Sequence, residues 1–391
     1  MKRRVCILSF SPIYRDARVL RQIEYLSPHY DLTVIGYGPP LQEWPDVQWL
    51  PVTVKSSLIT RVMGFLLMVL GRVIPPLYTF WYWSKAHHRE ALENAVTSRA
   101  DVYHANDWNA LPVAAEAARR YGSKLVLDAH EYAPLEFEER RWWRWFYRPL
   151  VLYFLRRYRG QLNASMTVAP AIAERYAAEL GFSPITVLNA PVLVPVEQHD
   201  IDPNNIRLVY HGGASPDRRL ERMIETLEKT ERRFTLHFIM VDETSPYVQS
   251  LKQLARRLEP ERIQFHPPVP PSKIVDRIAE YDIGFYLLEP SNYNNSVALP
   301  NKFFDFLAAG LAVCVGPSPG MARMVKEYGF GCVTPSFDSG AASQTLNSLT
   351  AEEIARMREA SRSTAQLFNA DREMGKMLEL YRHLFDDSDN Q

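Results

Sequence analysis

Short apolar segments alternate with amphipathic helical segments along most of this 391-residue chain, and this alternation constrains the fold more than any other feature. In the first half, the segments predicted as strands are 5–10, 32–36, 101–104, 125–129 and 166–169. Helices are predicted over 16–26 and 110–120. Buried strands that alternate with helices in this way form a doubly wound parallel sheet, with a ligand crevice at the carboxyl ends of the strands.

The alternation restarts at residue 206, and the strands predicted there are 206–210, 234–240, 263–265, 282–288, 311–315 and 331–334. A chain of this length is too long for one core and suits two domains. The predicted domains are an N-terminal domain, a linker, a C-terminal domain, and a C-terminal helix with a disordered acidic tail, over 1–190, 191–205, 206–368 and 369–391. The helix is free to pack back on the N-terminal domain. The predicted fold class is α/β, with two Rossmann-like doubly wound domains facing across a cleft.

Composition excludes several classes of protein. The content of 47% hydrophobic and 23% charged residues is that of a soluble globular protein, and a net charge of zero argues against nucleic acid as a partner. Cys6, Cys314 and Cys332 lack metal-site spacing and are predicted as buried thiols in a reducing cytoplasm. The six apolar residues 5–10 are too few for a signal sequence.

The segment 299–310 has the pattern of an anion-binding helix start. Pro300 suits the first turn of a helix, where Asn301 and Lys302 would lie beside negative oxygens. Asp305, one turn further along, is able to accept hydrogen bonds from a neighbouring pair of hydroxyls. Gly310 is predicted to end the helix before a buried strand. Local pattern alone is equally typical of an ordinary capped helix before a core strand.

A second phosphate-binding pattern begins where the apolar segment 206–210 runs into His211, Gly212 and Gly213. Residues 217–220 are then predicted to open an amphipathic helix, and a strand, glycine turn and helix bring backbone close to phosphate. Arg218 or Arg219 would add a bidentate phosphate contact, the alternative being solvated surface. Two such helix starts in one α/β domain predict a nucleoside-diphosphate pocket.

Together with Asp-Ala-His-Glu-Tyr at 128–132, and weaker matches at 16–19 and 104–107, these segments give the chain a family resemblance. It resembles the GT-B glycosyltransferases and is most similar to the retaining family 4 enzymes, in a subgroup with Pro-Asn-Lys. The resemblance implies transfer of a hexose-type residue from a nucleoside diphosphate to an acceptor hydroxyl, with the anomeric configuration retained.

The residues assigned to this reaction fall into three groups. The catalytic candidates are His130, which by resemblance contacts the donor sugar, with Arg218 and Lys302, which stabilise charge on the leaving phosphate. The donor-binding candidates are Gly212, Gly213, Asn301, Asp305 and Ser296. The acceptor-side candidates, expected on loops or helix starts at one edge of the first sheet, are Asp16, Arg18, His104 and Asp107. For Asp16 and Asp107, helix capping is the alternative, and for His130 it is a cap on the following turn.

One position departs from the family pattern. The family's usual motif has two glutamates separated by seven residues, and this chain has Val297 at the first position and Asp305 at the second. Asp305 keeps the ribose role with a shorter reach. Sugar contacts must then come from elsewhere, with Asn294, Asn295 or Ser296 as candidates and a plain loop as the alternative. No metal or other cofactor is expected, because no convincing Asp-x-Asp motif occurs outside the acidic tail.

Two segments break the soluble pattern. Residues 58–83 are unusually apolar, although Arg72 and the Pro75-Pro76 pair interrupt a membrane span. Residues 140–159 carry seven arginines, eight aromatic residues and no acid, which suits the interface of an anionic bilayer. They predict a cytoplasmic protein that lies on the inner leaflet and takes a lipid-linked acceptor or a growing polysaccharide. The alternative is two helices packed on the first sheet, with arginine stems covering apolar surface.

Three classes of function remain open on the sequence. A glycosyltransferase with a UDP- or GDP-sugar donor is favoured. A nucleotide-sugar 2-epimerase would use the same fold without an acceptor, and a non-catalytic nucleotide-sugar-binding or scaffold protein would bind donor without turnover. The sequence does not specify the nucleobase, sugar, acceptor or oligomeric state.

Overall fold

The computed structural model describes residues 2–40, 44–54 and 58–389. The chain divides into two compact units. The first comprises Met1–Leu188, Asn292–Asn294 and Met374–Gln391, and the second comprises Asn189–Ser291 and Asn295–Glu373. Residues 191–205, predicted as a linker, therefore belong to the second unit.

The first unit is built on a seven-stranded parallel sheet. Its strands are β1 (Arg4–Pro12), β2 (Asp31–Tyr37), β3 (Val47–Val52), β4 (Val102–Asn106), β5 (Lys124–Ala129), β6 (Ala164–Thr167) and β7 (Ile185–Thr186). Their order across the sheet is β3-β2-β1-β4-β5-β6-β7. Strands β1 to β3 extend the sheet toward one edge and β4 to β7 toward the other, so the strand order reverses between β1 and β4. Such a switch point is where doubly wound sheets bind ligands. The predicted strands are confirmed, whereas β3 and β7 were not predicted.

Helices accompany this sheet. They are α1 (Ala17–Leu26), α2 (Leu58–Gly71), α3 (Leu77–Trp83), α4 (Ala86–Ser98), α5 (Asp107–Tyr121), α6 (Arg148–Tyr158) and α7 (Pro170–Leu180). A single π-helical turn, Trp143–Tyr147, precedes α6. Central strands such as β1 are apolar on both faces, as expected for a parallel sheet covered on both sides.

The second unit has a six-stranded parallel sheet. Its strands are β8 (Ile206–Gly212), β9 (Phe234–Met240), β10 (Ile263–His266), β11 (Ile283–Tyr286), β12 (Ala312–Val315) and β13 (Gly331–Val333). The order is β10-β9-β8-β11-β12-β13, which places the switch point between β8 and β11. All six strands coincide with predicted segments, and the two Rossmann-like sheets confirm the α/β class.

The remaining helices complete the chain. They are α8 (Glu221–Glu228), α9 (Pro246–Leu258), α10 (Ile274–Ile278), α11 (Tyr293–Val297), α12 (Asn301–Ala308), α13 (Pro319–Tyr328), α14 (Ser339–Asn347), α15 (Ala351–Leu367) and α16 (Ala370–Asp389). Met377 and Tyr381 on α16 pack in the core cluster of the first unit, together with Ile7 of β1. The acidic tail from residue 386, predicted as disordered, is helical as far as Asp389, and residues 390–391 lie outside the described part.

Helix α12 lies unusually close to the sheet at Gly284. A Cβ built at Gly284 of β11 would lie 2.3 Å from Cγ of Phe306, a fully buried ring on α12. No real Cβ contact is that short, so only glycine lets this ring pack against the strand. The position of α12 therefore depends on one missing methyl group.

We expect Gly284→Ala to lower the free energy of unfolding by about 1 to 3 kcal/mol, because Phe306 must leave its site to admit the methyl group. Urea unfolding monitored by circular dichroism measures the change. Gly375→Ala on α16 is the matched control, because a Cβ there meets nothing within 4 Å. That control should gain about 0.5 to 1 kcal/mol from helix propensity. Equal stability of Gly284→Ala and the wild type would contradict the close packing of α12.

Candidate functional site

Strand β8 ends in a glycine that the site requires. Gly212 has φ of +109°, a backbone conformation that residues with a side chain rarely adopt. A Cβ built there would lie 3.5 Å from Nζ of Lys302. Gly213 follows, and its carbonyl oxygen accepts a hydrogen bond of 2.8 Å from the hydroxyl of Tyr210. The predicted turn therefore places backbone without a side chain next to the ammonium of Lys302.

Lys302 is buried at the start of α12, on two aromatic rings. Pro300 is the N-cap residue, so the helix begins at Asn301, and Lys302 occupies its first turn. The ammonium lies 3.8 Å from the ring centroid of Tyr210 and 4.5 Å from that of Tyr286. Among the described residues, its Nζ has no hydrogen-bond partner. A buried ammonium that lies over aromatic rings and lacks a hydrogen-bond partner is suited to binding an anion.

Burial has a strong effect on the charge of this lysine. Desolvation, reinforced by the positive charge of Arg218, lowers the pKa of Lys302 well below its ordinary value, against the opposing effect of Asp305. A bound anion would oppose the effects of desolvation and of Arg218 on the pKa of Lys302, because it stabilises the ammonium form. The site thus holds positive charge most firmly when a negative group is present.

Arg218 converges on the same tyrosine. Its Nη1 lies 3.5 Å from the hydroxyl of Tyr210, on a short 3-10 turn, Pro216–Arg218. The next residue, Arg219, has φ of +48° and pairs with Glu289 at 2.6 Å, so Arg218 is the arginine directed toward Lys302. Two cations that contact one aromatic ring form a compact positive site.

The second predicted helix start is corrected by the structure. Residues 217–220 do not open the helix, because the 3-10 turn and the left-handed Arg219 delay α8 to Glu221. The N–H of Leu220 donates to the hydroxyl of Tyr247 at 2.9 Å, and an acid occupies the first turn. Of the two predicted helix starts, the start of α12 is therefore the one that remains suited to an anion.

The other donor-side candidates lie along or just before α12. Asp305 is buried, and its Oδ2 lies 3.4 Å from Nε2 of His211. Burial and the neighbouring Lys302 lower the pKa of His211 to about 3, so the ring is neutral at pH 7 and this contact is not a salt bridge. Asn301 is exposed. Ser296 lies on α11 and not in a plain loop.

The two asparagines considered for sugar contacts are already engaged. Asn294 is buried, accepts from the backbone N–H of Tyr132 at 2.8 Å and donates to the carbonyl of the same residue at 3.2 Å. It belongs to the first unit. Asn295 donates to Ser291 at 2.8 Å. Neither position supplies an obvious replacement for the acid missing at Val297.

His130 follows the carboxyl end of β5 in the first unit and is held by two carboxylates. Its Nδ1 lies 3.3 Å from Asp107 and its Nε2 lies 3.5 Å from Asp128, with Asn106 also 3.0 Å from Nε2. Burial alone would lower the pKa of His130, but the carboxylates outweigh it and raise the pKa to about 9. The ring is therefore cationic at neutral pH and donates hydrogen bonds.

Asp107 supports this histidine from the adjacent strand end. It is the first residue of α5, has φ of +63°, and accepts a 2.9 Å hydrogen bond from the backbone N–H of His130. Burial raises the pKa of its carboxyl group, and the nearby His130 opposes that rise. A left-handed aspartate beside a cationic histidine is backbone strain located at a sheet switch point.

Comparison with known proteins agrees with the fold. The model of glycosyltransferase family 4 matches residues 19–192. Anabaena HepE, solved with UDP, has a TM-score of 0.72 at 16% identity over 98% of this chain and 100% of that chain. Residues 19–192, a little under half of the chain, match this family model, and the chain has the GT-B fold.

Two other solved proteins have the same architecture as this chain. Sucrose-phosphate synthase from Thermosynechococcus elongatus has a TM-score of 0.73 at 11% identity, over 99% of this chain and 100% of that chain. Trehalose 6-phosphate synthase from Burkholderia multivorans has a TM-score of 0.64 at 10% identity, with the same coverage. At these identities the similarity shows the fold alone. No curated protein sequence matches this chain significantly.

Two acceptor-side candidates prove to be buried. Arg18 lies at the start of α1, as predicted, but it pairs with Asp128 through two bonds of 2.6 and 2.7 Å and donates to the carbonyl of Val187 at 2.8 Å. His104 lies inside β4, completely buried, 2.7 Å from the hydroxyl of Tyr381. The prediction that His104 lies on a loop or helix start was wrong, because β4 continues past residue 104 to Asn106.

Asp16 has the capping role that the sequence allowed as its alternative. As the N-cap of α1, it accepts from the backbone N–H of Val19 at 3.2 Å and from the hydroxyl of Ser11 at 2.9 Å. Asp107 remains beside His130, at the edge where an acceptor-side group was expected. Asp107 is therefore the acceptor-side candidate that keeps its predicted position.

Asp128, Tyr210 and Tyr286 were given no role from the sequence, although all three contact candidate site residues. Asp128 carried a usable signal, because a carboxylate at the end of an otherwise apolar strand needs a buried partner. Tyr210 and Tyr286 looked like ordinary core residues of two separate strands. Only strand pairing places both rings under Lys302.

We expect Lys302→Met to raise the free energy of unfolding by about 1 to 4 kcal/mol at neutral pH, because an apolar side chain replaces an unpartnered buried ammonium. The exposed Lys326→Met serves as the control and should leave stability unchanged.

The same prediction has a pH dependence. Because folding lowers the pKa of Lys302, the unfolded state binds more protons at a pH between the folded and unfolded pKa values. Wild-type stability therefore rises with pH over that range. The advantage of methionine should therefore shrink as pH approaches 10. Urea unfolding at several pH values tests this, and a methionine variant less stable than wild type would refute it.

Proposed function

We propose that this protein transfers a hexose-type sugar from a UDP- or GDP-sugar to an acceptor hydroxyl, with retention of anomeric configuration and without a metal ion. One observation carries the proposal. The unpartnered ammonium of Lys302 lies at the start of α12, beside Gly212 and within reach of the tyrosine that Arg218 contacts. This arrangement suits the two phosphates of a nucleoside diphosphate.

The proposed roles of these residues follow from where negative charge develops during the reaction. As the bond between sugar and phosphate stretches, negative charge accumulates on the β-phosphate, and fixed cations there lower the barrier. Lys302 and Arg218 supply that charge, while Gly212 and Gly213 let backbone approach the phosphate oxygens. Asp305 accepts hydrogen bonds from the ribose, and Asn301 and Ser296 are the remaining donor contacts. No metal is required, because these two side chains provide the charge that a metal ion would otherwise supply.

We assign His130 a donor-sugar contact. A cationic imidazole donates hydrogen bonds and does not accept a proton, so His130 orients a sugar hydroxyl and is not the base of the reaction. Asp107 and Asp128 hold it in that state. The solved HepE proteins bind UDP or UDP-glucose, which supports a uridine nucleotide as the first donor to test.

The acceptor is proposed to lie at a membrane. Ten of the eighteen exposed large hydrophobic residues among those described lie within residues 58–80. We call their common surface the apolar surface; it consists of Leu58, Ile59, Val62, Met63, Phe65, Leu66, Leu70, Val73, Ile74 and Phe80. Contiguous exposed apolar area of this kind marks a membrane or protein interface.

The arginine-rich segment meets the apolar surface in the structure. Arg72 donates to the carbonyl of Trp145 at 2.7 Å, and its guanidinium lies 4.3 Å from the Trp145 ring centroid. Trp142 and Trp145 are about half exposed, whereas Trp143 and Phe154 are buried in the core. The segment thus has exposed tryptophan rings, as the membrane-interface prediction expects, and buried rings, as the packed-helix alternative expects. Within the described ranges, no helix is both long and apolar enough to cross a membrane.

These features support peripheral attachment to the anionic inner leaflet of a cytoplasmic membrane, where tryptophan rings and arginines enter the interface together. The proposed acceptor is lipid-linked or a growing polysaccharide held at that surface. Attachment through half-exposed side chains, without a spanning helix, would be reversible and dependent on anionic lipid.

Lys302→Met should reduce sugar transfer from the preferred donor by about 100- to 1000-fold, the usual effect of removing one group that stabilises transition-state charge. Turnover is measured as UDP or GDP release with membrane extract as acceptor, after a thermal-shift panel of UDP- and GDP-sugars has identified the donor. Lys326→Met should retain full activity, and nuclear magnetic resonance of the product should show retained configuration. Wild-type rates in Lys302→Met, or donor conversion that needs no acceptor, would refute the transferase proposal.

The membrane proposal predicts that Ile59→Glu combined with Val62→Glu abolishes most binding to anionic vesicles, because both side chains are exposed on the apolar surface. Co-sedimentation with vesicles of phosphatidylcholine and phosphatidylglycerol measures it. Leu367→Glu is the control, since Leu367 is a comparably exposed leucine on α15. Unchanged binding of the double variant, or no dependence on phosphatidylglycerol, would argue against attachment through this surface.

A further inference from the structure

A half-open cavity of about 480 Å³ lies in the first unit, next to the apolar surface. Helices α2 and α3 and the start of α4 form most of its wall, and the π-helical turn contributes Tyr147. The residues that line it are Val54, Thr60, Arg61, Gly64, Phe65, Met68, Trp81, Ser84, Lys85, Ala86, His87, Arg89 and Tyr147. Its volume is within the range of small-molecule sites.

The lining combines two chemistries. One part is apolar, with Phe65 and Met68 of α2 and Trp81 of α3. The other part carries three basic side chains and a histidine, and no aspartate or glutamate within residues 2–40, 44–54 and 58–389 lines the cavity. A wall with cations but no carboxylate complements an anion attached to an apolar body.

Two of the polar groups in this wall are poorly satisfied. The ammonium of Lys85 lies 3.5 Å from the ring centroid of Trp81, and burial lowers the pKa of Lys85 to about 8. His87 is only 9% exposed, and its Nδ1 has no hydrogen-bond partner within the described part of the chain. Burial, with the charge of Lys85, lowers the pKa of His87 to about 4. A buried nitrogen without a partner is uncommon and points to a missing ligand.

The apolar surface indicates where such a ligand comes from. Phe65 belongs both to that surface, where it is 54% exposed, and to the cavity wall. Gly64 and Phe65 are followed by Leu66, another exposed residue of the surface. A molecule whose chains remain in a bilayer can therefore place its polar end in the cavity without leaving the membrane.

We propose that this cavity binds the phosphate headgroup of an anionic membrane lipid, with Lys85 and His87 as its central contacts and Arg61 and Arg89 at its sides. Phosphate is preferred over a sugar or an ammonium headgroup, because the basic wall offers hydrogen-bond donors and no carboxylate acceptors. The inference rests on the proposed membrane attachment and deepens it, since a bound headgroup would fix which face of the first unit meets the bilayer.

The test compares two sets of vesicles with matched surface charge, containing phosphatidylcholine with either phosphatidic acid or oleate. The wild type should bind the phosphatidic acid vesicles about tenfold more tightly, the effect of one or two charge-assisted hydrogen bonds. Lys85→Gln should lose this preference, and Lys85→Arg should retain most of it. Arg141→Gln removes the same charge from an exposed position outside the cavity lining and should weaken both vesicle types equally.

Several outcomes would overturn the proposal. They are equal binding of the two vesicle types by the wild type, or an unchanged preference in both Lys85→Gln and Arg61→Gln. Full competition by soluble glycerol 3-phosphate at concentrations equal to the lipid phosphate would instead identify a soluble phosphate ligand and would also overturn it. Thermal stabilisation by UDP is followed in the same samples and should be unaffected by Lys85→Gln. Failure of the headgroup site is thereby separated from failure of the transferase proposal.

Discussion

The candidate site of the second unit depends on one buried cation, the ammonium of Lys302 over the rings of Tyr210 and Tyr286. Each ring comes from a different strand, β8 and β11, and these strands flank the switch point of the sheet. Helix α12 reaches them because Gly284 lets Phe306 pack against β11. An aromatic floor, a close helix and a bare backbone turn at Gly212 together leave the cation without a hydrogen-bond partner among the described residues.

The first unit also contains a buried charge, but there the charge is paired. There the buried charge is the carboxylate of Asp128, and Arg18 and Gln22 satisfy it fully from α1, the glutamine at 2.5 Å. The same carboxylate helps to keep His130 protonated, so a stability element and a site residue share one group. One unit thus holds a paired charge that positions a histidine, and the other holds an ammonium whose Nζ has no hydrogen-bond partner among the described residues.

Most of the fold could be predicted from the sequence, because buried parallel strands are short apolar runs with clear boundaries. The two missed strands lack that signal. Strand β3 lies at the sheet edge with polar residues and Pro51, and β7 has only two residues. The turn at Gly212 and the helix start at Lys302 were predicted from local pattern. His104 was misplaced because local pattern does not show where β4 ends, and the burial of Arg18 on α1 depends on its distant partner Asp128.

Contacts between distant segments lay beyond sequence reasoning altogether. Residues 58–83 and 140–159 each looked unusual, but their meeting through Arg72 and Trp145 follows from tertiary packing. The cavity beside them arises from the same packing, since Phe65, Trp81 and Tyr147 come from three different elements. Composition therefore indicated an unusual apolar and basic region, whereas the shape of its surface and its basic cavity required the structure.

The central claim is that burial lowers the pKa of Lys302 in the free protein and that a bound diphosphate raises it again. Isothermal titration of UDP, or of GDP where that nucleotide is preferred, in buffers of different ionisation enthalpy measures the protons exchanged on binding. The account predicts net proton uptake near neutral to alkaline pH, weaker binding as pH rises, and loss of the uptake in Lys302→Met. Binding without proton uptake, or the same uptake in wild type and Lys302→Met, would contradict it.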